Sequence, residues 1–159
     1  MNRIETKVFG EITLDNGSGL VPKGPGLVRP TEIDLADFSD EAADSDALAA
    51  FLDQLPSHME TARKRFIEDY EEIAGYIPEW LHDEANEIYV DLFPDTPDPK
   101  QITAEQLWAR LNVCRMWASE GPSLTIDMQF GEWGADEMDY IMAAYFELDG
   151  TLTDLSLES

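Results

Sequence analysis

Apolar residues in the middle of the chain recur with the period of an α-helix. One set has the spacing i, i+3, i+4, i+7 and comprises Leu48, Phe51, Leu52 and Leu55. This spacing places the side chains on one stripe of a helix, the stripe that a globular fold buries. Asp44 or Ser45 can accept hydrogen bonds from free backbone N–H groups, so a first helix is predicted to begin near them.

A second, longer helix is predicted after Pro56. Its apolar positions recur at steps of three and four and comprise Met59, Ala62, Phe66, Tyr70, Ile73 and Ile77. Ser57 and Glu60 have the spacing of a capping box at its start. The pattern therefore predicts one continuous helix to about residue 77.

Two further helix starts follow. Pro78 can begin a short helix that carries Trp80 and Leu81. After a proline-rich loop, Thr103 and Gln106 have the spacing of another helix start. Helices are therefore predicted within residues 40–93 and within residues 103–110.

From Leu111 onward the period changes from helical to alternating. On one predicted strand, apolar residues alternate with polar ones: Leu124, Ile126, Met128 and Phe130 against Thr125, Asp127 and Gln129. A second alternating set is Met138, Tyr140, Met142, Ala144, Phe146 and Leu148. Asp149 and Gly150 supply a two-residue hairpin turn into a last strand. Because Leu152 and Leu155 differ in parity, a bulge or an uneven end is predicted in that strand.

The first 36 residues favour short strands and loops. Residues 4–14 are rich in β-favouring side chains, and the sequence DNGSG at 15–19 is a turn that tolerates positive φ. Prolines and glycines interrupt residues 20–30, and a brief strand is predicted near residues 32–35. The chain is thus predicted to be one α+β domain over residues 1–159. Short strands and a loop occupy 1–36, central helices 40–93, a helix 103–110, and a C-terminal antiparallel β-meander 111–158.

Composition limits the classes of function. The 159 residues include 34 Asp or Glu against 10 Lys or Arg, a formal net charge of −24. Such a charge repels phosphate backbones and anionic lipids, so basic proteins are the expected partners rather than nucleic acid or a membrane. The apolar runs are far shorter than the roughly 20 residues of a membrane span, and the first residues lack an apolar signal region. A cytoplasmic protein is therefore predicted.

Residues suited to catalysis or metal binding are few. His58, His82 and Cys114 lack paired metal-ligand spacing, so no metal site is predicted and Cys114 is interpreted as a small buried side chain. Residues 15–19 could begin a calcium loop, but Gly26 stands where an EF-hand needs its bidentate glutamate. Phosphate-binding glycine patterns and a nucleophile elbow are absent from the sequence. We predict no catalytic residue and no cofactor.

Acidic residues fall in runs that contain no basic residue. Residues 68–98 hold eleven of them and no Lys or Arg. Glu68 and Glu72 lie on the predicted long helix, whereas Glu79 and Asp83 lie at i, i+4 on the next, with Glu87 at i+8 if that helix continues. A second group sets one tryptophan among carboxylates in a predicted loop and comprises Glu132, Trp133, Asp136 and Glu137. Both groups are candidate partner-binding sites.

The order of the elements resembles that of small bacterial domains of unknown function. Their layout is similar to that of immunity proteins of polymorphic or contact-dependent toxin systems. The resemblance runs from VFGEITL at residues 8–14, through two helices, to FELDGTLTD at residues 146–154, and so covers most of the chain. Its two motifs are FGE at 9–11 and DG at 149–150. The resemblance brings no catalytic residues.

Charge and resemblance together give a first hypothesis: a non-enzymatic immunity protein whose acidic surface neutralises a basic toxin domain of the nuclease class. One alternative is a small ligand-binding or hydrolase domain, with a pocket between helices and sheet lined by Trp108, Trp117 and Tyr140. Another is a DNA mimic that inhibits a host DNA-binding protein. The acidic runs can also be read as a merely solvated face, and Trp133 as a cover for the sheet edge.

Overall fold

The computed structural model describes residues 1–118, 121–131 and 140–158. β1 (Arg3–Glu5) and β2 (Glu11–Thr13) form a small antiparallel sheet in which Ile4 pairs with Ile12. β3 (Ser18–Val21) and β4 (Thr31–Asp34) form a second antiparallel pair. Between β2 and β3, Asn16 and Gly17 both have positive φ, which confirms the predicted turn.

Helices fill most of the chain between β4 and residue 108. They are α1 (Ala42–Asp53), α2 (Leu55–Glu68), α3 (Tyr70–Ile73), α4 (Ile77–Glu84), α5 (Asn86–Leu92) and α6 (Ala104–Trp108). A single 3-10 turn, Pro99–Gln101, precedes α6. Among the described residues, no helix is long and apolar enough to cross a bilayer.

The continuous helix predicted to residue 77 is wrong, because α2 ends at Glu68. Asp69 leaves the helical conformation with φ −107° and ψ 22°, and its carboxylate binds Arg65 at 2.8 Å. Aspartate is a poor residue for a helix interior because its short polar side chain offers alternatives to the helical hydrogen bonds. The apolar period therefore runs across a break and continues on α3 and α4.

The predicted helix starts have different outcomes. Thr103 and Gln106 form the reciprocal capping box at the start of α6, with hydrogen bonds of 2.8 and 3.2 Å. The box predicted for Ser57 and Glu60 is wrong, because α2 already begins at Leu55 and Glu60 binds Arg63 instead.

The cap predicted for α1 is also wrong. This helix begins at Ala42, so the predicted capping residues Asp44 and Ser45 lie inside its first turn. The carboxylate of Asp44 accepts a hydrogen bond from the Ser39 hydroxyl at 2.6 Å.

The last strands confirm the antiparallel C-terminal meander. They are β5 (Leu111–Trp117), β6 (Ser123–Phe130), β7 (Ile141–Glu147) and β8 (Leu152–Glu158). The meander belongs to a larger sheet of order β3-β4-β5-β6-β7-β8, in which only the β4–β5 pair is parallel. This parallel pair joins segments far apart in the chain, which local periodicity does not reveal.

The turn between β7 and β8 differs from the predicted two-residue turn. Glu147 N–H donates to the Thr151 carbonyl at 2.9 Å, so three residues, 148–150, form the loop. Gly150 has φ 95°, which suits the left-handed position of such a loop. The predicted bulge is confirmed, because Tyr145 pairs with Asp154 whereas Phe146 pairs with Leu152.

The helices cover one face of the six-stranded sheet. Phe51 of α1 packs edge-on against Phe146 of β7, with ring centroids 5.5 Å apart. The opposite face was expected to be the exposed side of half-buried strands, yet Thr125 and Gln129 on it are 5% and 1% exposed. Thr125 pairs with Trp117 of β5 and with Tyr145 of β7, so a large side chain flanks it on each side.

Candidate functional site

The acidic residues at positions 68–98 form what we call the acidic helical segment. All of its carboxylates except that of Asp69 belong to exposed residues. In the part of the chain that the structure describes, Arg65 forms an ion pair with Asp69 at 2.8 Å, and His82 Nδ1 lies 3.0 Å from the Asp83 carboxylate. The other carboxylates of this segment have no cationic partner among the described residues.

Two predicted partner-binding residues, Glu79 and Asp83, lie on α4. The buried side of this helix is formed by Ile77, Pro78 and Leu81, which leaves both acidic side chains exposed. They are four residues apart, and two like charges at that spacing destabilise a helix by roughly 0.2–0.5 kcal/mol. A cation between them would remove this repulsion.

Glu87 does not continue that row, because α4 ends at Glu84. Ala85 has φ −140° and ψ 51°, and the side chain of Asn86 donates to the His82 carbonyl at 3.0 Å. In a continuing helix, the His82 carbonyl would instead accept from the backbone N–H of Asn86. Glu87 therefore lies on α5.

The other two predicted residues of the segment, Glu68 and Glu72, are also exposed. Glu68 is the last residue of α2, and Glu72 lies in α3 beyond the break at Asp69. The sequence pattern predicted that they would be neighbours on one continuous helix, and this prediction is wrong. Together the four predicted residues follow three successive helices.

The second candidate group lies outside the described residues. Glu132, Trp133, Asp136 and Glu137 all belong to the stretch between Gly131 and Tyr140. Their assignment to a partner-binding loop stays a prediction.

An aromatic cluster lies at the start of α4. The Trp80 ring meets the Tyr140 ring edge to face with centroids 4.9 Å apart, and Tyr76 meets Tyr140 at 6.0 Å. Partial burial and a hydrogen bond to Tyr140 raise the pKa of Tyr76, so its phenol is neutral at physiological pH. Tyr76 was not among the residues predicted from the sequence, although its spacing of four residues from Trp80 places both rings on one side of a helix.

The two histidines occupy unrelated places. His58 stacks on Phe51 with ring centroids 3.9 Å apart, and burial lowers its pKa. His82 lies on α4 beside Asp83. No group of three or more potential metal-ligating side chains occurs among the described residues.

Cys114 sits at a bulge in β5 rather than in a fully buried position. Its Sγ donates to the Asp127 carbonyl at 3.3 Å, and burial raises the thiol pKa to about 11. Because the thiolate is the nucleophilic form, this cysteine is poorly reactive at neutral pH.

A polar cluster lies on the sheet face opposite the helices. Trp117 Nε1 donates to the Asp127 carboxylate at 3.0 Å, and the Arg115 guanidinium lies over the Trp117 ring at 5.8 Å. Burial raises the pKa of Asp127, while Trp117 and Arg115 act in the opposite direction. Arg115 also reaches Asp34 of β4 at 3.6 Å, so the cluster ties the parallel strands together.

The structure does not bring together the three aromatic residues expected to line a pocket. Trp108 packs on Phe66 of α2 at 5.3 Å, on the helical side of the sheet. Trp117 lies on the opposite face, beside Asp127. Tyr140 packs on Trp80. A pocket lined by all three is therefore absent from the described residues.

The structure is that of an α+β protein with exposed carboxylates along residues 68–98. Comparisons with protein-family models, with curated proteins and with solved structures found no match.

Proposed function

We propose that this protein is a non-enzymatic immunity protein that binds a basic toxin domain of the nuclease class and blocks its nucleic-acid site. The supporting observation is the acidic helical segment, whose exposed carboxylates are largely without cationic partners in the described chain. A nucleic-acid-binding enzyme presents clustered Lys and Arg to phosphates, so the same cluster is complementary to this surface. When the carboxylates cover this Lys and Arg cluster, nucleic acid can no longer bind there.

The mechanism begins with long-range attraction. A one-sign surface attracts an oppositely charged protein and raises the association rate, an effect that salt screens over a Debye length of about 8 Å at physiological ionic strength. Contact then relieves the repulsion between Glu79 and Asp83. Charge complementarity of this kind sets the association rate and the choice of partner more than it sets the final affinity.

The first test is capture of partners from a lysate of the source organism at about 50 and about 500 mM salt, conditions that differ roughly threefold in Debye length. The captured proteins are identified by mass spectrometry. We expect one basic nuclease domain at near-stoichiometric amount, and inhibition of its activity by the added protein. Loss of every bound protein at high salt, or retention of a partner without nuclease activity, contradicts the proposal.

Paired charge variants separate local from overall charge. Glu79→Lys with Asp83→Lys should slow association with the captured nuclease roughly 10-fold at low salt and weaken its salt dependence. Asp37→Lys with Asp40→Lys is the matched control, because these exposed residues precede α1 and the change in net charge is identical. Equal effects of both pairs would mean that net charge alone directs binding.

The same captured complex tests the DNA-mimic alternative. If the partner is a host DNA-binding protein and duplex DNA displaces it competitively, the protein is a mimic rather than an immunity protein. Competition is measured with the partner bound and the duplex titrated at constant salt.

A further inference from the structure

Tyr76, Trp80 and Tyr140, which we call the aromatic platform, differ from the other aromatic residues of the described chain. Phe51, Phe66 and other core rings are almost completely buried. Tyr76 is 50% exposed, and it is the only exposed aromatic side chain in the described residues. Its ring is nevertheless held in place, because it packs against Tyr140, which in turn packs against Trp80.

Two carboxylates share one side of α4 with the platform. Tyr76 and Trp80 are four residues apart on the helix, and Trp80 N–H donates to the Tyr76 carbonyl at 3.0 Å. Asp83 follows at i+7 from Tyr76, and Glu79 at i+3, so both lie on neighbouring positions of the same helical side. Both carboxylates are exposed. A half-exposed ring and two carboxylates are thus presented together.

This combination suits one side chain better than others. A guanidinium is planar, stacks on aromatic faces, and donates several hydrogen bonds to carboxylates while its plane stays on the ring. A lysine ammonium is compact and strongly hydrated, so it gains less from a ring that remains half in water. Arginine is also enriched among the residues that contribute most to interface energies.

We propose that the aromatic platform, with Glu79 and Asp83, binds an arginine side chain of the basic partner. This proposal rests on the function proposed above and specifies the contact at its centre. Tyr76 supplies a half-exposed ring, and Tyr140, which packs on Trp80, holds that ring in place. The two carboxylates accept hydrogen bonds from the guanidinium.

The test uses two probe peptides of equal charge, one with alternating Arg and Gly and one with alternating Lys and Gly. Binding is followed by calorimetry and by the NMR signal of the Trp80 indole N–H, assigned through Trp80→Phe. We expect the arginine peptide to bind roughly two- to fivefold more tightly, the scale of an exposed cation–π contact. The Trp80 signal should shift with the arginine peptide.

Variants of Tyr76 decide the role of the ring. Tyr76→Leu should remove the preference for arginine, whereas Tyr76→Phe should retain it. Leu20→Ala removes an exposed apolar side chain from β3 and is the matched control, which should change neither affinity. Circular dichroism and thermal unfolding establish that each variant is folded.

The outcomes separate this proposal from the proposed function. Equal binding of both peptides, no binding of either, or an unchanged preference in Tyr76→Leu would overturn the platform. If Glu79→Gln with Asp83→Asn weakens both peptides while Tyr76→Leu changes nothing, the acidic helical segment binds cations but the platform does not. Failure of the nuclease capture, with the arginine preference intact, would overturn the immunity function alone.

Discussion

Two aromatic clusters connect helices with β7 or the residue before it, and they differ in solvent exposure. We call the buried one closed and the partly exposed one open. In the first, Phe51 stacks on His58 at 3.9 Å and meets Phe146 at 5.5 Å, with both phenylalanines 1% exposed. In the second, Tyr76 and Trp80 meet Tyr140, and Tyr76 is half exposed. The same type of edge-on contact therefore serves core packing in one place and presents a ring to solvent in the other.

The neighbours of each cluster explain the difference. The closed cluster is covered by the β7–β8 turn, where a Cβ on Gly150 would lie 2.8 Å from His58 Cε1. The open cluster lies beside Glu79 and Asp83, which are both exposed to solvent. We expect substitutions in the closed cluster to affect stability and those in the open cluster to affect binding.

The largest expected effect is on the core ring. Phe51→Ala should destabilise the protein by about 3–5 kcal/mol, because it removes a fully buried ring and leaves a cavity. Tyr76→Ala should change the free energy of unfolding by less than about 1 kcal/mol, since surface substitutions have small effects. Urea denaturation measures both. Similar losses in the two variants would contradict the distinction between closed and open clusters.

The next effect concerns the turn that covers the closed cluster. Gly150→Ala should destabilise by roughly 1–3 kcal/mol, because alanine is strained at φ 95° and its Cβ would press on His58. Gly10→Ala is the matched control, with φ 72° and no atom near its added Cβ, so it reports the backbone strain alone. In a His58→Ala background, the loss of unfolding free energy caused by Gly150→Ala should fall to that caused by Gly10→Ala. An unchanged loss would mean that His58 does not limit the turn.

Helices and strands could be predicted from the sequence because their apolar patterns depend on local spacing. The α+β arrangement, the capping box at Thr103 and the bulge in β8 were all predicted from residues within a few positions of one another. The break at Asp69 was missed because the apolar period continues across it. The parallel β4–β5 pair was missed because its two strands are remote in sequence.

The candidate site was predicted only in part. Charge runs identified the exposed carboxylates of Glu79 and Asp83, since exposure of acidic residues is the rule. The contact of Tyr76 with Tyr140 was missed because Tyr140, which lies just before β7, is distant in the sequence. An open aromatic cluster is a tertiary property, and composition alone cannot distinguish it from a core.

Protonation of His58 should weaken the closed cluster. Burial lowers its pKa below 6.5, so the folded state favours the neutral ring, while the unfolded chain takes up a proton more readily. The contribution to stability is therefore complete above pH 6.5 and declines as the pH falls below that value. His58→Phe keeps a stacked ring and should reduce this slope in urea titrations between pH 7 and 5. If the unfolding free energies of the wild type and of His58→Phe fall in parallel with pH, His58 is not the cause of the slope.

The smallest expected effects are on surface charge. Glu79→Gln should stabilise the protein by roughly 0.2–0.5 kcal/mol at low salt, because it removes repulsion from Asp83. Glu60→Gln is the matched comparison and should slightly destabilise the protein instead, since Glu60 binds Arg63 at 2.9 Å. Both changes in stability should become smaller in about 1 M salt, where the Debye length is roughly 3 Å. Thermal unfolding at the two salt concentrations measures them.

The parallel pairing of β4 with β5 has a consequence for the order of folding. The strands β5 to β8 follow one another directly, so their hairpins can form through short-range encounters. Adding β4 must close a loop that contains residues 35–110, and a longer loop has a larger closure entropy. Such remote pairings slow folding, so we expect the edge formed by β3 and β4 to join after the meander and to open first in hydrogen exchange.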